Sequence, residues 1–211
     1  MNWFKRVLVL APHTDDGELG AGGTIARLHR SGARIMYVAF TGSEESVPPD
    51  FDKSVLRTEV LHATAQLGIS NDDVKVGFHR VRMLSQVRQE ILDELIVIRR
   101  EFNPDIVFCP SSGDVHQDHA VIHAEALRAF KAVTLLGYEL PWNSVGFDGR
   151  LFVGLELTDI QAKVRAIEEY KSQAGRPYMV RQFVQSQAIA KGVQSGNEYA
   201  ESFEVLRWHM R

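Results

Sequence analysis

VLVLAPHTDDGELGAGG, Val7 to Gly23, decides how the rest of the chain is read. Val7 to Leu10 is an unbroken apolar and β-branched run, the pattern of a parallel strand buried on both faces. Pro12, which has no N–H to give a sheet ladder, ends it. His13, Asp15 and Asp16 follow at once and place three groups able to bind metal or move protons within four positions. Gly20, Gly22 and Gly23 then predict a close backbone turn into a helix beginning near Thr24. In open parallel α/β sheets, ligands bind at the carboxyl ends of strands, where these residues fall. Asp and Thr after a strand also serve as turn formers or helix caps. A second cluster, DVHQDH at Asp114 to His119, follows another predicted strand and gives the first its weight.

A chain of 211 residues suits a single α/β domain spanning 1–211. At that size about 70% of the unfolded surface is buried on folding, so neither disulfides nor a structural metal are needed, and a metal would be catalytic. The net charge of −3 and a pI near 6.2 give no clustered basic footprint for nucleic acid. The one cysteine, Cys109, lies in the apolar run DIVFCP and reads as a small buried hydrophobe. The start, MNWFKRVLVLAP, has too short an apolar run for a signal peptide and no small-residue cleavage site. No window approaches the roughly 20 apolar residues of a membrane span. The expectation is a soluble, cytoplasmic protein.

Outward from the first strand, TIARLHR ends a helix at Ser31-Gly32, and Ala33 to Thr41 reads as the second buried strand. Glu44 lies in the loop after it and is a candidate to face the same crevice. Ser54 to Leu67 has helical spacing, closed by Gly68. Arg57 lies near its start, where a cation opposes the helix dipole and so hints at another purpose. Val74 to Phe78 reads as a third strand. Ser85 to Phe102 carries Val87, Ile91, Leu92, Leu95, Ile98 and Phe102 at spacings of three and four, the clearest amphipathic helix in the chain. PDIVFCP is the fourth strand, and His119 to Lys131 a helix. Ala132 to Tyr138 and Leu151 to Leu157 are two more strands, and Thr158-Asp159 caps a helix through Lys171. Beyond Gln173 the signals weaken, with one last helix expected over Asn197 to Trp208.

Alternating strands and helices predict a three-layer Rossmann-like α/β sandwich with a mainly parallel sheet, because right-handed crossovers cover both faces with helices. The glycines do not form G-x-G-x-x-G, since Ile25 occupies the third position, and no P-loop follows the first strand. A catalytic zinc usually takes three protein ligands and leaves one position to water. His13, Asp16 and His119 supply that set if strands one and four are neighbours, as in a 3-2-1-4 order. Asp15, beside a ligand, would accept the proton of the metal-bound water. His116 would stabilise the oxyanion as imidazolium or protonate a leaving amine, with Asp118 orienting it. His123 shares a helical face with His119 but lacks the Glu of H-E-x-x-H and ranks below it.

With these residues in place, the sequence resembles the LmbE-like or PIG-L-like zinc-dependent deacetylases, which remove acetyl from N-acetylglucosamine-type sugars. The matching pieces are APHTDDGELGAGG, LRTEVLHATAQLG, PDIVFCP with DVHQDH, and the later YKSQ and YAESFE, so the likeness spans nearly the whole chain. It implies a Rossmann-like fold and zinc on His13, Asp16 and His119, with Fe2+ or another divalent ion as alternatives. It further implies Asp15 as base, His116 with Asp118 at the intermediate, Arg57 facing substrate, and a homo-oligomer. The family motif commonly has Pro and Glu where this chain has Thr14 and Gly17, and Glu18 is a candidate to cover the missing carboxylate. The expected reaction is hydrolysis of an N-acetyl group on an amino sugar or glycoconjugate. Two rivals stand beside it: a non-haem iron oxygenase using His116, Asp118 and His209, and a catalytically silent sugar- or nucleotide-binding domain.

Overall fold

The computed structural model of the chain describes residues 4–209. The reading of the start as no signal peptide falls partly on Met1 to Trp3, which lie outside the described residues. No helix among those described is long and apolar enough to cross a membrane.

The strands are β1 (Arg6–Ala11), β2 (Arg34–Ala39), β3 (Val74–Val76), β4 (Ile106–Pro110), β5 (Thr134–Tyr138), β6 (Leu151–Leu155) and β7 (Tyr199–Arg207). The helices are α1 (Asp16–Arg30), α2 (Val55–Gln66), α3 (Arg88–Phe102), α4 (Gln117–Ala129), α5 (Leu157–Glu168) and α6 (Arg181–Ser195). One sheet runs β3-β2-β1-β4-β5-β7-β6; its first five strands are parallel, and β7 lies antiparallel between β5 and β6. The expected 3-2-1-4 order is present. Val7, Leu8 and Val9 pair with Ile106, Val107 and Phe108, so the chain leaves β1 and β4 side by side.

β1 shows why the run VLVL has no polar alternation. Val7, Val9 and Ala11 enter a core shared with α1, α2, α5 and α6, while Leu8 and Leu10 enter the opposite core under α3 and α4. Both faces of the strand are covered, and all five side chains are fully buried.

Two expectations change. Helix α1 begins at Asp16 and not near Thr24, so the glycines lie within it. They bring the helix close to the sheet: a Cβ on Gly20 would lie 2.3 Å from Tyr138 Cδ2. Asp16 and Glu18 in the first turn suit the helix dipole. The tail is strand β7, not a helix, and α6 precedes it. Helix α6 buries only Val184, Ala188 and Gly192, a stripe too narrow to give a strong pattern.

Candidate active site

His13 lies two residues beyond β1, Asp15 is the N-cap of α1, and Asp16 is its first residue. Beyond β4, a loop carries Asp114, His116 is the N-cap of α4, and Asp118 and His119 stand in its first turn. Two residues separated by more than a hundred positions thus face each other because β1 and β4 are adjacent.

Three atoms converge. His13 Nδ1 lies 3.1 Å from Asp16 Oδ2, Asp16 Oδ2 lies 3.2 Å from His119 Nε2, and the two imidazole nitrogens are 3.2 Å apart. Donors about 2.0–2.1 Å from one tetrahedral zinc stand about 3.3–3.4 Å from each other, so this near-equilateral triangle fits such an ion. Each ring's other nitrogen is engaged by a carboxylate: His13 Nε2 meets Asp118 Oδ2 at 3.1 Å, and His119 Nδ1 meets Asp114 Oδ2 at 2.7 Å. Those partners place the N–H on the outer nitrogens and turn lone pairs inward. Three lone pairs aimed at one point, with no donor of their own, call for a cation.

The electrostatics agree. Burial pulls His13 and His119 down, but Asp16 with Asp118 on one, and Asp16 with Asp114 on the other, lift them to about 9 and about 10. Burial opposes the charge on Asp16, yet His119 and His13 hold its carboxyl far below the usual range. The cluster draws in positive charge, as a proton or as a metal.

Asp15 differs from its neighbour. No side-chain hydrogen bond engages its carboxyl among the described residues, and burial, then the charge of Asp16, raise it to about 6. His116 stands close, its ring centroid 4.8 Å from that of His13 and 4.5 Å from that of His119. One nitrogen from each of the three histidines lies within 4.8 Å of the others, so His116 is a further candidate ligand. The tighter triangle with Asp16 favours the first set. His116 Nδ1 accepts from Asp118 N at 3.2 Å, and burial followed by the other two histidines lowers its pKa. The lowered pKa and the accepting Nδ1 both favour the neutral ring with its N–H at Nε2, whereas the sequence reading has His116 as an imidazolium at the oxyanion or as the acid for a leaving amine. The Asp118 carboxylate also departs from expectation, because it orients His13 and not His116.

Residues 8–130, more than half of the chain, match the family described as PIG-L: GlcNAc-PI de-N-acetylase. The chain belongs to the PIG-L family. It is similar to the diacetylchitobiose deacetylase of Thermococcus kodakarensis, 25% identical over 229 aligned residues that cover 97% of this chain and 84% of that protein. The solved N,N'-diacetylchitobiose deacetylase from Pyrococcus horikoshii matches with a TM-score of 0.80 at 22% identity, over 96% of this chain and 84% of that one. The 4-carboxy-2-hydroxymuconate hydratase from Pseudomonas putida KT2440 also shares the fold, with a TM-score of 0.76 at 19% identity and 98% of each chain covered. The fold alone therefore does not choose the reaction.

In this PIG-L chain the triad opens into a cavity of about 230 Å³ that is also lined by Ser43, Ser46, Arg82, Trp142, Asn143, Gln173, Arg176 and Tyr178. Sequence reasoning missed most of these, because loop residues carry no periodicity; only Gln173 fell in a quoted motif, YKSQ. Arg57 and Glu44 are not in the lining. Arg57 Nε donates to Glu44 Oε1 at 2.8 Å, and its other nitrogens donate to the carbonyls of Val76 and Gly77, so the pair ties the loop after β2 to the end of β3. His209 is also remote from the site. It bonds to Thr134 at the start of β5, opposite the strand end that bears His116, and no His116–Asp118–His209 triad forms.

Glu18 points away from the cavity. It is fully buried and accepts from the hydroxyls of Tyr37 and Tyr170, and both tyrosines also reach Thr14 O. A Cβ at residue 17 would lie 2.5 Å from Tyr37 Cε2, so the phenol fills the space a side chain there would need. Thr14 and Gly17, the two departures from the family motif, belong to one packing arrangement behind the loop. Other motif carboxylates are clamps: Glu59 holds Ser172, and Glu204 holds Ser112.

Proposed function

We propose that this chain is a metal-dependent N-deacetylase that hydrolyses the acetamido group of an amino sugar or its conjugate, with His13, Asp16 and His119 holding zinc and Fe2+ as the second candidate. The triangle of 3.1–3.2 Å formed by those three side chains carries the reading. A bound divalent ion supplies Lewis acidity toward the acetyl carbonyl.

The remaining chemistry belongs to the chain. Asp15, unpaired and lining the cavity, takes a proton from the attacking water as the water oxygen bonds to the carbonyl carbon. His116 Nε2–H donates to the oxygen on which negative charge develops, as a neutral donor that needs no reorganisation. The C–N bond then breaks as the proton held by Asp15 passes to the departing nitrogen, and the remaining hydroxyl proton of the acid product is released to solvent, giving acetate and a free amine. Asp118 and Asp114 keep the rings of His13 and His119 turned inward.

Acetate release from N-acetylated sugars, measured beside metal content, tests the proposal. Asp15→Asn is expected to keep its metal and lose turnover by 100-fold or more, on the order of general-base contributions. Turnover unchanged in that variant removes the base assignment, and wild-type protein that binds sugars without metal or acetate release favours a silent binding domain. The same reading takes the protein to be cytoplasmic and expects a homo-oligomer, which a solution mass decides.

A further inference from the structure

The segment between β3 and α3 carries a residue that its backbone does not suit. Met83 N donates to Arg80 O at 3.1 Å and closes a β-turn with Arg82 at its third position. Arg82 has φ 67, and a positive φ at that position favours Gly or Asn. The arginine side chain lines the cavity and reaches Ser46 Oγ at 3.3 Å. A left-handed residue other than glycine persists only where its surroundings hold it.

What holds Arg82 is the start of α4. Its N–H donates to Asp118 Oδ2 at 2.6 Å, and its carbonyl accepts from Gln117 Nε2 at 2.6 Å. Leu84 N–H donates to the other oxygen, Asp118 Oδ1, at 3.3 Å. Val81 and Leu84, both buried, fix the ends of the turn on either side of the strained residue. Asp118 Oδ2 also meets His13 Nε2 at 3.1 Å, so one buried carboxylate joins the turn to the metal triangle. The two amides keep that carboxylate from rotating away from the imidazole. Gln117 itself is exposed, and its side-chain amide reaches the site through the Arg82 carbonyl.

We propose that Gln117 is a positioning residue for the metal centre: its amide holds Arg82 in the left-handed turn, the turn holds Asp118, and Asp118 aims His13 Nδ1 at the cation. This rests on the reading of His13 as a ligand and adds to it a residue from outside the His/Asp set. Without the Gln117 donor the turn relaxes toward an ordinary φ, and the Arg82 amide leaves Asp118.

The donor can be removed cleanly. Gln117 is the first residue of α4, where the N–H has no partner within the helix and proline is favoured. His116 before it has φ −68 and ψ 127, the extended backbone that suits a residue preceding proline. Gln117→Pro therefore keeps the helix start and deletes the side-chain donor; Gln117→Ala repeats the test if the proline variant fails to fold. Zn2+ affinity is measured by competition with a chelating dye for wild type, Gln117→Pro, Asp118→Ala and the double variant. Gln117→Pro is expected to bind Zn2+ about 3–10-fold more weakly, the scale of one hydrogen bond. Added to Asp118→Ala it should change affinity by less than about 2-fold, because its effect runs through that carboxylate. Unchanged affinity in Gln117→Pro, or losses that multiply in full in the double variant, overturns the proposal. Amide hydrogen exchange on metal-free protein reads the turn without the cation. The Arg82 and Leu84 amides are expected to be protected in wild type and to exchange at least about 3-fold faster in Gln117→Pro. If wild type binds no Zn2+, the metal reading fails. Faster exchange then still upholds the latch from Gln117 through Arg82 to Asp118, and unchanged exchange ends it.

Discussion

At the scale of single residues, Asp15 and Asp16 show how neighbours in sequence take opposite electrostatic roles. Asp16 faces two imidazoles and stays ionised, whereas Asp15 is raised to about 6 by burial and by the charge of Asp16 itself. A base must be deprotonated, so kcat/KM is expected to fall as pH drops through about 6, with the limb displaced lower by a bound cation and absent in the residual activity of Asp15→Asn. The stability sign is the reverse. A carboxyl raised in the folded state binds more protons folded than unfolded, so metal-stripped protein loses stability as pH rises from about 4 to about 6. Asp15→Asn in that metal-free state should therefore be more stable than wild type at pH 7, by on the order of 1 kcal/mol, in a denaturant titration. Asp114→Asn and Asp118→Asn are expected to weaken metal binding about 10–100-fold without removing a ligand, as read by competition with a chelating dye.

Elements explain what could and could not be read from the chain. The two His/Asp clusters were legible because ligand-bearing side chains crowd immediately after apolar runs, and β1 with β4 was legible because both runs are buried on both faces. The start of α1 was not. Three glycines within four positions of a helix oppose its propensity, and only the close approach to Tyr138 and Leu155 accounts for them. β7 was hidden for a related reason: Glu201 and Ser202 are polar yet buried, which erases the alternation of a strand. Glu201 accepts from Gly23 N at 3.0 Å and Thr24 N at 2.7 Å within α1, and Lys163 of α5 binds it at 2.7 Å. Lys163→Ala removes the positive partner of that buried carboxylate and leaves it to the two N–H groups of α1, and a loss of about 3–5 kcal/mol in unfolding free energy is expected. A loss below 1 kcal/mol would show that the clamp joining α1, α5 and β7 is not structural.

Across the whole molecule, the parallel order of β1 and β4 turns two remote loops into one site, and the antiparallel pair β7 and β6 closes the other side of the sheet. Arg57 and Glu44, chosen from sequence as substrate contacts, serve that scaffold, while the residues lining the cavity come from loops whose positions only the assembled sheet defines. A cation that binds the folded chain and not the unfolded one stabilises it by mass action, about 4 kcal/mol at 1,000 times its Kd. Removing metal with a chelator should lower Tm, and returning Zn2+ should restore it. The most direct measurement is a Zn2+ titration of the wild type beside His13→Ala, Asp16→Ala and His119→Ala. One ion per chain in the wild type, with high-affinity binding lost in all three variants, is the predicted result. Binding that survives removal of the ligands from either loop would contradict a single centre shared by the two.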